Sequence, residues 1–428
     1  MWLAPVDSAP QQEEWIELFI DTDGVFNYSD WGVEVLRRHA GNKINLLGSA
    51  SPAADIEVFK PVPDRKQHKI NMGLEADTLI FGTIMRNQQR KLYPDLMVAF
   101  NKYLDLCIQH KRTDLASKSY LYLHVSYPDV GWNIPDLIKE HGLGAKVLVT
   151  YICQFCNNPF ISFFQDAITV CPHCNSIGGV LCNVNKGVSR EQLAAILNVF
   201  DVYIQYANCE GFGMPMVEAA SCGVPVMAVD YSAMSDVVRK IKGTPLKIGH
   251  TFREMDTGAY RVYPDNDACA DNLFKHVMLP ESLRLNKGNK ARQAVEQHYD
   301  WNKIVKVWEN YFDSSVPKNK QSKWDAPPEI QAFNVVIPDN LNNKEFVEFC
   351  IINIAKEPKL LNSLTYLTLV NALNYGSQQN GKMSVRFTRQ HVVDFCLGRI
   401  NNKNMMEKYR CGITPLLEED YITFANSR

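Results

Sequence analysis

The sequence predicts an α/β fold built on a doubly wound parallel sheet, and three observations support this prediction. Apolar strand-like runs alternate with helix-like stretches through the middle of the chain. A glycine-rich turn opens one of those helices, and two Cys-x-x-Cys pairs interrupt the alternation before it. Strand and helix in alternation imply right-handed crossovers and therefore parallel strands.

The individual elements follow from apolar periodicity. Strands are predicted at 78–83, 120–125, 146–150, 202–206 and 224–229. Helices are predicted at about 94–107, 134–141, 190–198, 213–222 and 232–241. Gly223 follows the fourth of these helices and is a suitable C-terminal cap, because glycine tolerates the left-handed conformation that ends many helices.

Composition limits the possible functions. The chain has 428 residues, which is enough for two or three domains. Its 45 lysines and arginines against 47 aspartates and glutamates give a net charge of −2, which argues against a general polyanion binder. No apolar run reaches the ~18 residues of a membrane span, and the first residues lack the basic and apolar regions of a signal peptide. We therefore expect a cytoplasmic enzyme.

Two glutamates flank the glycine-rich turn in the stretch Glu210-Gly-Phe-Gly-Met-Pro-Met-Val-Glu218. Glycines allow close approach of backbone to a ligand, and a proline in the first helical turn costs no hydrogen bond. A helix starting near residue 213 places Glu218 about 7 to 8 Å along its axis, while Glu210 stays in the loop. Free N–H groups at that helix start suit a diphosphate or sugar oxygens. An ordinary loop-to-helix junction with solvated glutamates is the alternative.

Three basic residues, Arg86, Arg90 and Lys91, follow the strand-like run at 79–85 and precede a helix. Cations at the carboxyl end of a strand lie at the mouth of an α/β crevice, where arginine can grip a phosphate at two points. Taken alone, such a cluster is more often a solvated surface. Its position ahead of Glu210 in a sheet of this kind favours the phosphate-binding interpretation.

These residues, followed by Ala-Ala-Ser-Cys222-Gly-Val-Pro, resemble the E-x7-E signature of family four of the retaining glycosyltransferases, which have the GT-B fold. The resemblance implies that Glu210 contacts the donor sugar and Glu218 the ribose hydroxyls. Arg86 and Lys91 would hold the donor diphosphate, with Arg90 a less suitable substitute. Catalysis would then depend on Glu210, Arg86 and Lys91. Phosphate and sugar hydroxyls would be bound by Gly211, Phe212, Gly213, Met214 and Pro215.

The same resemblance implies a mechanism. The donor would be a nucleotide-diphosphate sugar, and the anomeric configuration would be retained by front-face attack without a protein nucleophile. Arg86, Lys91 and helix N–H groups would neutralise the departing diphosphate, so no catalytic metal is expected. The similarity covers about residues 75–312.

Four cysteines form two knuckles, Cys153-Gln-Phe-Cys156 and Cys171-Pro-His-Cys174, with fourteen residues between them. That spacing predicts a zinc ribbon at 151–180. Four thiolates close the coordination shell, so the metal would be structural. A redox pair or an iron site is the alternative. We expect His173 to be a bystander and Cys182 to be a spare cysteine.

The ribbon carries no lysine or arginine and one acidic residue, Asp166, while Phe155, Phe160, Phe163 and Phe164 are apolar. Nucleic acid contact requires cations, so this composition makes a nucleic acid partner unlikely and favours packing or protein contact. The resemblance breaks at this insertion, and residues that contact the nucleotide base cannot be transferred from the family.

The predicted domains are a remnant of an N-terminal GT-B domain with its linker at 1–72, a nucleotide-sugar-binding Rossmann-like domain at 73–315 with the inserted ribbon, a polar linker at 316–330 and a helical accessory domain at 331–428. The first segment resembles only the last helix and strand of an acceptor domain. A homodimer or a partner chain is therefore expected to supply the acceptor side.

The predicted function is transfer of a sugar from a nucleotide-diphosphate sugar to an unknown acceptor. Two alternatives remain open from the sequence: a non-catalytic sugar-nucleotide-binding or scaffold subunit, and a glycosyltransferase that modifies nucleic acid. Donor hydrolysis by the purified chain distinguishes the first, and a salt-dependent interaction with DNA or RNA would support the second.

Overall fold

A computed structural model of the chain describes residues 2–20, 22–165, 168–315, 335–355, 363–375 and 388–397. The chain divides into two compact units, Met1–Pro317 and Lys318–Arg428. The predicted linker at 316–330 lies outside the described residues. The other predicted domain boundaries remain predictions.

The first unit begins with a small parallel sheet. Its strands pair in the order β1 (Trp2–Ala4), β2 (Val25–Asn27) and β3 (Leu46–Ser49), with α1 (Glu13–Ile20) and α2 (Asp30–Ala40) as the crossovers. Phe19 and Leu36 are buried in a common core with Val25. The sequence predicted only one helix and one strand here, because strands of three or four residues are too short to show periodicity.

After α3 (Arg65–Asn71) the chain enters a nine-stranded sheet. In chain order its strands are β4 (Leu79–Met85), β5 (Ser119–Val125), β6 (Val147–Cys153), β7 (Pro159–Phe163), β8 (Thr169–Val170), β9 (Ile177–Leu181), β10 (Val202–Gln205), β11 (Val226–Val229) and β12 (Thr244–Leu246). The helices between them are α4 (Tyr93–Gln109), α5 (Thr113–Lys118), α6 (Ile134–Glu140), α7 (Arg190–Leu197), α8 (Met214–Ser221) and α9 (Ser232–Lys240).

Six strands of this sheet are parallel and lie in the order β12-β11-β10-β4-β5-β6. The chain therefore builds one half outward from β4 and the other half outward from β10, which makes the boundary between these two strands the topological switch point. Every residue of β4 is buried, as expected for a parallel strand covered on both faces. A side chain at Gly82 would clash with Phe200, since a Cβ there would lie 2.3 Å from the Phe200 ring.

The predicted ribbon extends this sheet instead of forming a separate lobe. β7 and β9 both pair antiparallel with β6, and β8 pairs with β9. The pairing of β6 with β5 uses Val147, Leu148 and Val149, whereas β9 pairs with the later residues of the same strand. One strand thus serves both the parallel sheet and the ribbon.

The last part of the first unit was not predicted in full. A hairpin of β13 (Ile248–Arg253) and β14 (Tyr260–Pro264) precedes α10 (Asn266–Val277), α11 (Glu281–His298) and α12 (Trp301–Ser314). The Tyr260 amide donates to the Ala9 carbonyl at 2.8 Å. The Tyr311 ring meets Phe26 edge-on, with their centroids 5.6 Å apart. The hairpin and α12 therefore both contact the small sheet.

The second unit contains α13 (Asn343–Asn353), α14 (Ser363–Tyr375) and α15 (Arg389–Cys396), within the region predicted to be helical. Val347, Val370 and Val392 are buried in their shared core. Among the described residues of both units, no helix combines the length and the apolar character that crossing a membrane requires.

Candidate functional site

The candidate donor site lies where β4 and β10 end side by side. The segments that leave these strands are tied together by their backbones, because the Leu92 amide donates to the Tyr206 carbonyl at 3.0 Å and the Asn208 amide to the Arg90 carbonyl at 2.9 Å. Ligands of open α/β sheets bind outside the carboxyl ends of the strands at such a switch point. The pairing brings the predicted cations and the predicted glutamate to one crevice.

Glu210 is the centre of this cluster and is 5% exposed. Its carboxylate accepts hydrogen bonds from the Lys91 ammonium, from Gln205 Nε2 at 2.6 Å and from Arg90 Nη1 at 2.8 Å. Its backbone amide donates to Ser232 Oγ at 2.8 Å. Burial, followed by the charge of Arg90, lowers the pKa of Lys91, while Cys209 and Asp7 act in the opposite direction. The side chains of Lys91 and Glu210 are each 7% exposed. Lys91 and Glu210 are therefore a buried ion pair.

Arg86 lies at the same edge of the sheet but has a different partner. Its Nε and Nη2 donate to the two Asp129 oxygens at 2.9 and 3.1 Å. Asp129 follows β5, its side chain is 1% exposed, and it also accepts from the Val130 amide at 2.8 Å. The Arg86 hydrogen bonds are the main reason that the pKa of Asp129 falls to about 2. Arg86 is thus held by a carboxylate that the sequence analysis did not identify.

The turn from Gly211 to Pro215 forms the start of α8. Gly213 is the N-cap residue with φ of 90°, and Pro215 lies in the first helical turn as predicted. A Cβ at Gly211 would lie 2.9 Å from the Pro5 carbonyl oxygen, so this glycine allows the small sheet to approach the site. The amides of Gly211, Phe212 and Gly213 donate to no acceptor among the described residues. These N–H groups are available to a ligand.

The side chain of Phe212 is withdrawn from the crevice. It is 5% exposed and packs edge-on against Tyr28 and Tyr299, at centroid distances of 6.5 and 5.6 Å. Of the predicted donor-binding residues, Phe212 can therefore offer only its backbone. Met214 is the first residue of α8 and packs at the edge of the main core.

Glu218 lies within α8, one helical turn beyond Met214. Burial raises the pKa of its carboxyl from 4.5 to about 7, and the charge of Arg190 acts weakly in the opposite direction. The carboxyl group has no hydrogen-bond partner among the described residues. A partly buried carboxylate without a protein partner is suited to accept hydrogen bonds from a ligand.

We expect Glu218→Gln to stabilise the protein in a pH-dependent way. The folded-state pKa of Glu218 is raised to about 7, so ionising the carboxyl costs stability as the pH rises from 4.5 to about 7, and the cost stays constant above that range. The variant removes this cost. Its unfolding free energy relative to the wild type should increase by about 1 to 3 kcal/mol between roughly pH 5 and pH 8. Urea unfolding at both pH values measures the difference, and an equal effect at both would contradict the shift.

The four predicted cysteines come together at the end of β6. The Sγ atoms of Cys153, Cys156, Cys171 and Cys174 all lie within 4.8 Å of one another. The separation is 3.6 Å between Cys153 and Cys174 and 3.7 Å between Cys156 and Cys171. Tetrahedral zinc with Zn–S bonds of about 2.3 Å requires sulfur atoms about 3.8 Å apart. The four thiols therefore fit one tetrahedral ion.

The surroundings of these cysteines resemble one another in the two knuckles. The Phe155 amide points at Cys153 Sγ and the His173 amide at Cys171 Sγ, both at 3.4 Å. The residue after each second cysteine, Asn157 or Asn175, has a φ of 57°. Backbone N–H groups directed at sulfur stabilise thiolate charge. Neither His173 nor Cys182 belongs to the metal-ligand group found among the described residues.

Sequence reasoning missed three residues that shape the donor site. Gln205 ends an otherwise apolar buried strand, and such an isolated amide is a signal that could have been used. Asp129 lies in the loop after β5, and Ser232 is the first residue of α9, which follows β11. Nothing local distinguishes them, because their partners Arg86 and Glu210 are distant in the chain.

Comparison with known proteins finds similarity in the part of the chain that contains this candidate site. A family model described as Glycosyl transferases group 1 matches residues 181–247, the stretch that contains both glutamates and the turn. Phosphatidyl-myo-inositol mannosyltransferase of Propionibacterium freudenreichii is 31% identical over 147 residues, 32% of this chain and 34% of that protein. N-acetyl-alpha-D-glucosaminyl L-malate synthase of Bacillus anthracis is 26% identical over 134 residues, 31% of each. The chain thus spans about a third of the length of these curated relatives.

Among solved structures, sucrose-phosphate synthase of Thermosynechococcus elongatus is similar with a TM-score of 0.51 and 19% identity, over 70% of this chain and 61% of that chain. At this identity the likeness concerns the fold. It agrees with an α/β architecture around the mostly parallel central sheet. Residues 181–247 therefore match the Glycosyl transferases group 1 family model, within an α/β fold similar to that of sucrose-phosphate synthase.

Proposed function

We propose that this chain is a glycosyltransferase that binds a nucleotide-diphosphate sugar in the crevice between the ends of β4 and β10. The observation that carries the proposal is the convergence of Lys91 and Arg90 on the buried Glu210, directly ahead of a helix that contains Glu218, whose carboxyl has no hydrogen-bond partner among the described residues. Cations and free backbone N–H groups suit a diphosphate, and carboxylates suit the hydroxyls of a sugar and a ribose.

In this proposal Lys91 and Arg86 neutralise the diphosphate as it leaves, together with the amides of Gly211, Phe212 and Gly213. Preorganised cations and N–H groups stabilise developing charge without reorganisation, so the leaving group needs no metal ion. Glu210 orients the sugar and the cations around it, and Glu218 accepts hydrogen bonds from the ribose. We further propose that the sugar is transferred with retention of its anomeric configuration.

The names of the relatives support sugar transfer and leave the acceptor open. One is named a phosphatidyl-myo-inositol mannosyltransferase, and another is named an N-acetyl-alpha-D-glucosaminyl L-malate synthase. Because their named acceptors differ, no acceptor is assigned to this chain. A second copy or a partner chain that completes the acceptor side belongs to the same proposal.

We also propose that Cys153, Cys156, Cys171 and Cys174 hold one structural zinc ion. Their sulfur separations of 3.6 and 3.7 Å match a tetrahedral thiolate shell. Four protein ligands leave no position for a substrate or water. The metal would then fix the fold of the ribbon and take no part in sugar transfer.

The proposal is tested by screening nucleotide sugars for thermal stabilisation of the chain and then for hydrolysis or transfer. With the donor so identified, Glu218→Ala should weaken its binding by about 1 to 3 kcal/mol, the scale of losing hydrogen bonds to a charged acceptor. Glu281→Ala is the matched control, because this exposed glutamate pairs with Lys66 away from the crevice. Stabilisation by no nucleotide sugar would overturn the proposal.

Two further readouts separate the parts of the proposal. Binding without hydrolysis or transfer would indicate a sugar-nucleotide-binding subunit. The anomeric proton of the product, observed by NMR, shows whether configuration is retained. Transfer by a species that light scattering identifies as a monomer would remove the need for a partner chain.

A further inference from the structure

The two arginines at the donor crevice use their guanidinium groups differently. Arg86 directs its Nε/Nη2 edge at both oxygens of Asp129, so the edge suited to bidentate binding is occupied. Arg90 is held instead through Nη1, which donates to the Cys209 carbonyl at 3.1 Å and to Glu210 at 2.8 Å. Nε and Nη2 of Arg90 have no acceptor in the part of the chain that the structure describes.

Arg90 is also fixed at its backbone. Its carbonyl accepts from the Asn208 amide at 2.9 Å, and the next carbonyl, that of Lys91, accepts from Trp132 Nε1 at 2.7 Å. The side chain is 38% exposed, so part of it remains accessible to solvent and to a ligand. A guanidinium anchored at one nitrogen has already lost much of its conformational freedom, so ligand binding costs less entropy.

The charges around the crevice leave room for an anion. Arg86, Arg90 and Lys91 contribute three positive charges, and their partners Asp129 and Glu210 contribute two negative charges. Asp7, whose charge also acts on Lys91, pairs with Arg261. Lys91 is buried against Glu210, and Arg86 is engaged by Asp129. The excess positive charge is therefore presented mainly by Arg90. Two parallel N–H donors match two oxygens of a phosphate group.

We propose that Arg90 is a third diphosphate-binding cation of the donor site and contacts phosphate oxygens through its Nε/Nη2 edge. This inference rests on the proposed function and gives Arg90 a phosphate contact of its own, whereas the family resemblance offers it only as a substitute for Arg86 or Lys91. Arg90 thereby makes one contact with the protein and one with the ligand. Its Nη1 donates to the Glu210 carboxylate, and its Nε/Nη2 edge donates to the phosphate oxygens. Asp129 holds Arg86 beside it.

The test is calorimetric titration of the full chain with inorganic pyrophosphate. Arg90→Lys keeps a positive charge that can still pair with Glu210 but removes the parallel N–H donors of Nε and Nη2. We therefore expect the affinity for pyrophosphate to fall about tenfold or more. Arg90→Gln should fall further because the charge is also lost. Arg37→Gln is the control, since this exposed arginine pairs with Glu34 on α2.

The possible outcomes test the role of Arg90 separately from the proposed donor site. Unchanged pyrophosphate affinity in Arg90→Lys, with weaker binding in Lys91→Ala, overturns the role of Arg90 and keeps the donor site. Unchanged affinity in both variants overturns the diphosphate site itself. Glu218→Ala should leave pyrophosphate affinity unchanged while weakening UDP or GDP, whichever the wild type binds. Thermal unfolding of each variant confirms that the titrated protein is folded.

Discussion

Replacement of one knuckle, with Cys171→Ser and Cys174→Ser together, should eliminate zinc binding and unfold the segment from β7 to β9. In zinc-finger peptides, structural zinc contributes an apparent binding free energy of about 10 to 16 kcal/mol, and this binding drives their folding. The ribbon has little apolar core of its own to offset the loss, because Phe155 and Ile177 are 71% and 72% exposed. Metal analysis and hydrogen exchange measure the two effects.

The parallel sheet should survive this change. β6 pairs with β5 through Val147, Leu148 and Val149, which precede the first knuckle. Amides of β4 and β5 should therefore keep their exchange protection. Cys182→Ser is the matched control, since Cys182 is buried but lies outside the cluster. Less than half an equivalent of zinc in wild-type protein purified under reducing conditions, or iron in its place, would contradict the assignment.

Glu210→Gln should have the largest effect on the donor site. The amide retains the shape of the side chain but removes the charge that compensates Lys91 and Arg90. Breaking a buried ion pair by removing one partner costs about 3 to 5 kcal/mol, because the remaining charge stays buried. We expect a stability loss of that order in urea unfolding, with loss of sugar transfer beyond what reduced stability explains.

Asp201→Asn separates stability from function. Asp201 pairs with the buried Lys69 at 2.7 Å, at the start of β10 and away from the crevice. Its loss should destabilise the sheet to a similar degree while leaving nucleotide-sugar affinity unchanged. If Glu210→Gln bound and turned over donor like the wild type, Glu210 would have no role in the site.

The parallel sheet was predictable because its strands are continuous apolar runs. β4, β5 and β6 are buried along most of their length. Strands that are buried on both faces of a parallel sheet are apolar at nearly every position, and this pattern is visible in the sequence. The α/β class is confirmed by the strand order and by the similar solved structure. The hairpin of β13 and β14 was missed because most of its first strand is exposed and polar. The strands of the small sheet are too short to show an apolar periodicity.

The site was predictable only where its residues are close in sequence. Glu210, Gly213 and Glu218 belong to one turn and one helix. The four cysteines lie in two short Cys-x-x-Cys knuckles, and this spacing was enough to predict that their sulfur atoms meet. The roles of these residues remain predictions. The partner of Arg86 is 43 residues away, and that of Arg90 is 120 residues away. Which cation is neutralised by which carboxylate depends on strand order, and no local pattern encodes that.

The contacts that complete the small sheet have a consequence for how the chain folds as it is made. Trp31 donates its amide to Asp236 at 2.7 Å, Ala9 accepts from Tyr260, and Phe26 is covered by Tyr311. All three partners are synthesised long after the residues they cover. During translation the small sheet therefore remains without its outer contacts until α12 has emerged, and contacts this distant in sequence form slowly. Nascent chains that stop before the hairpin should depend most on chaperones.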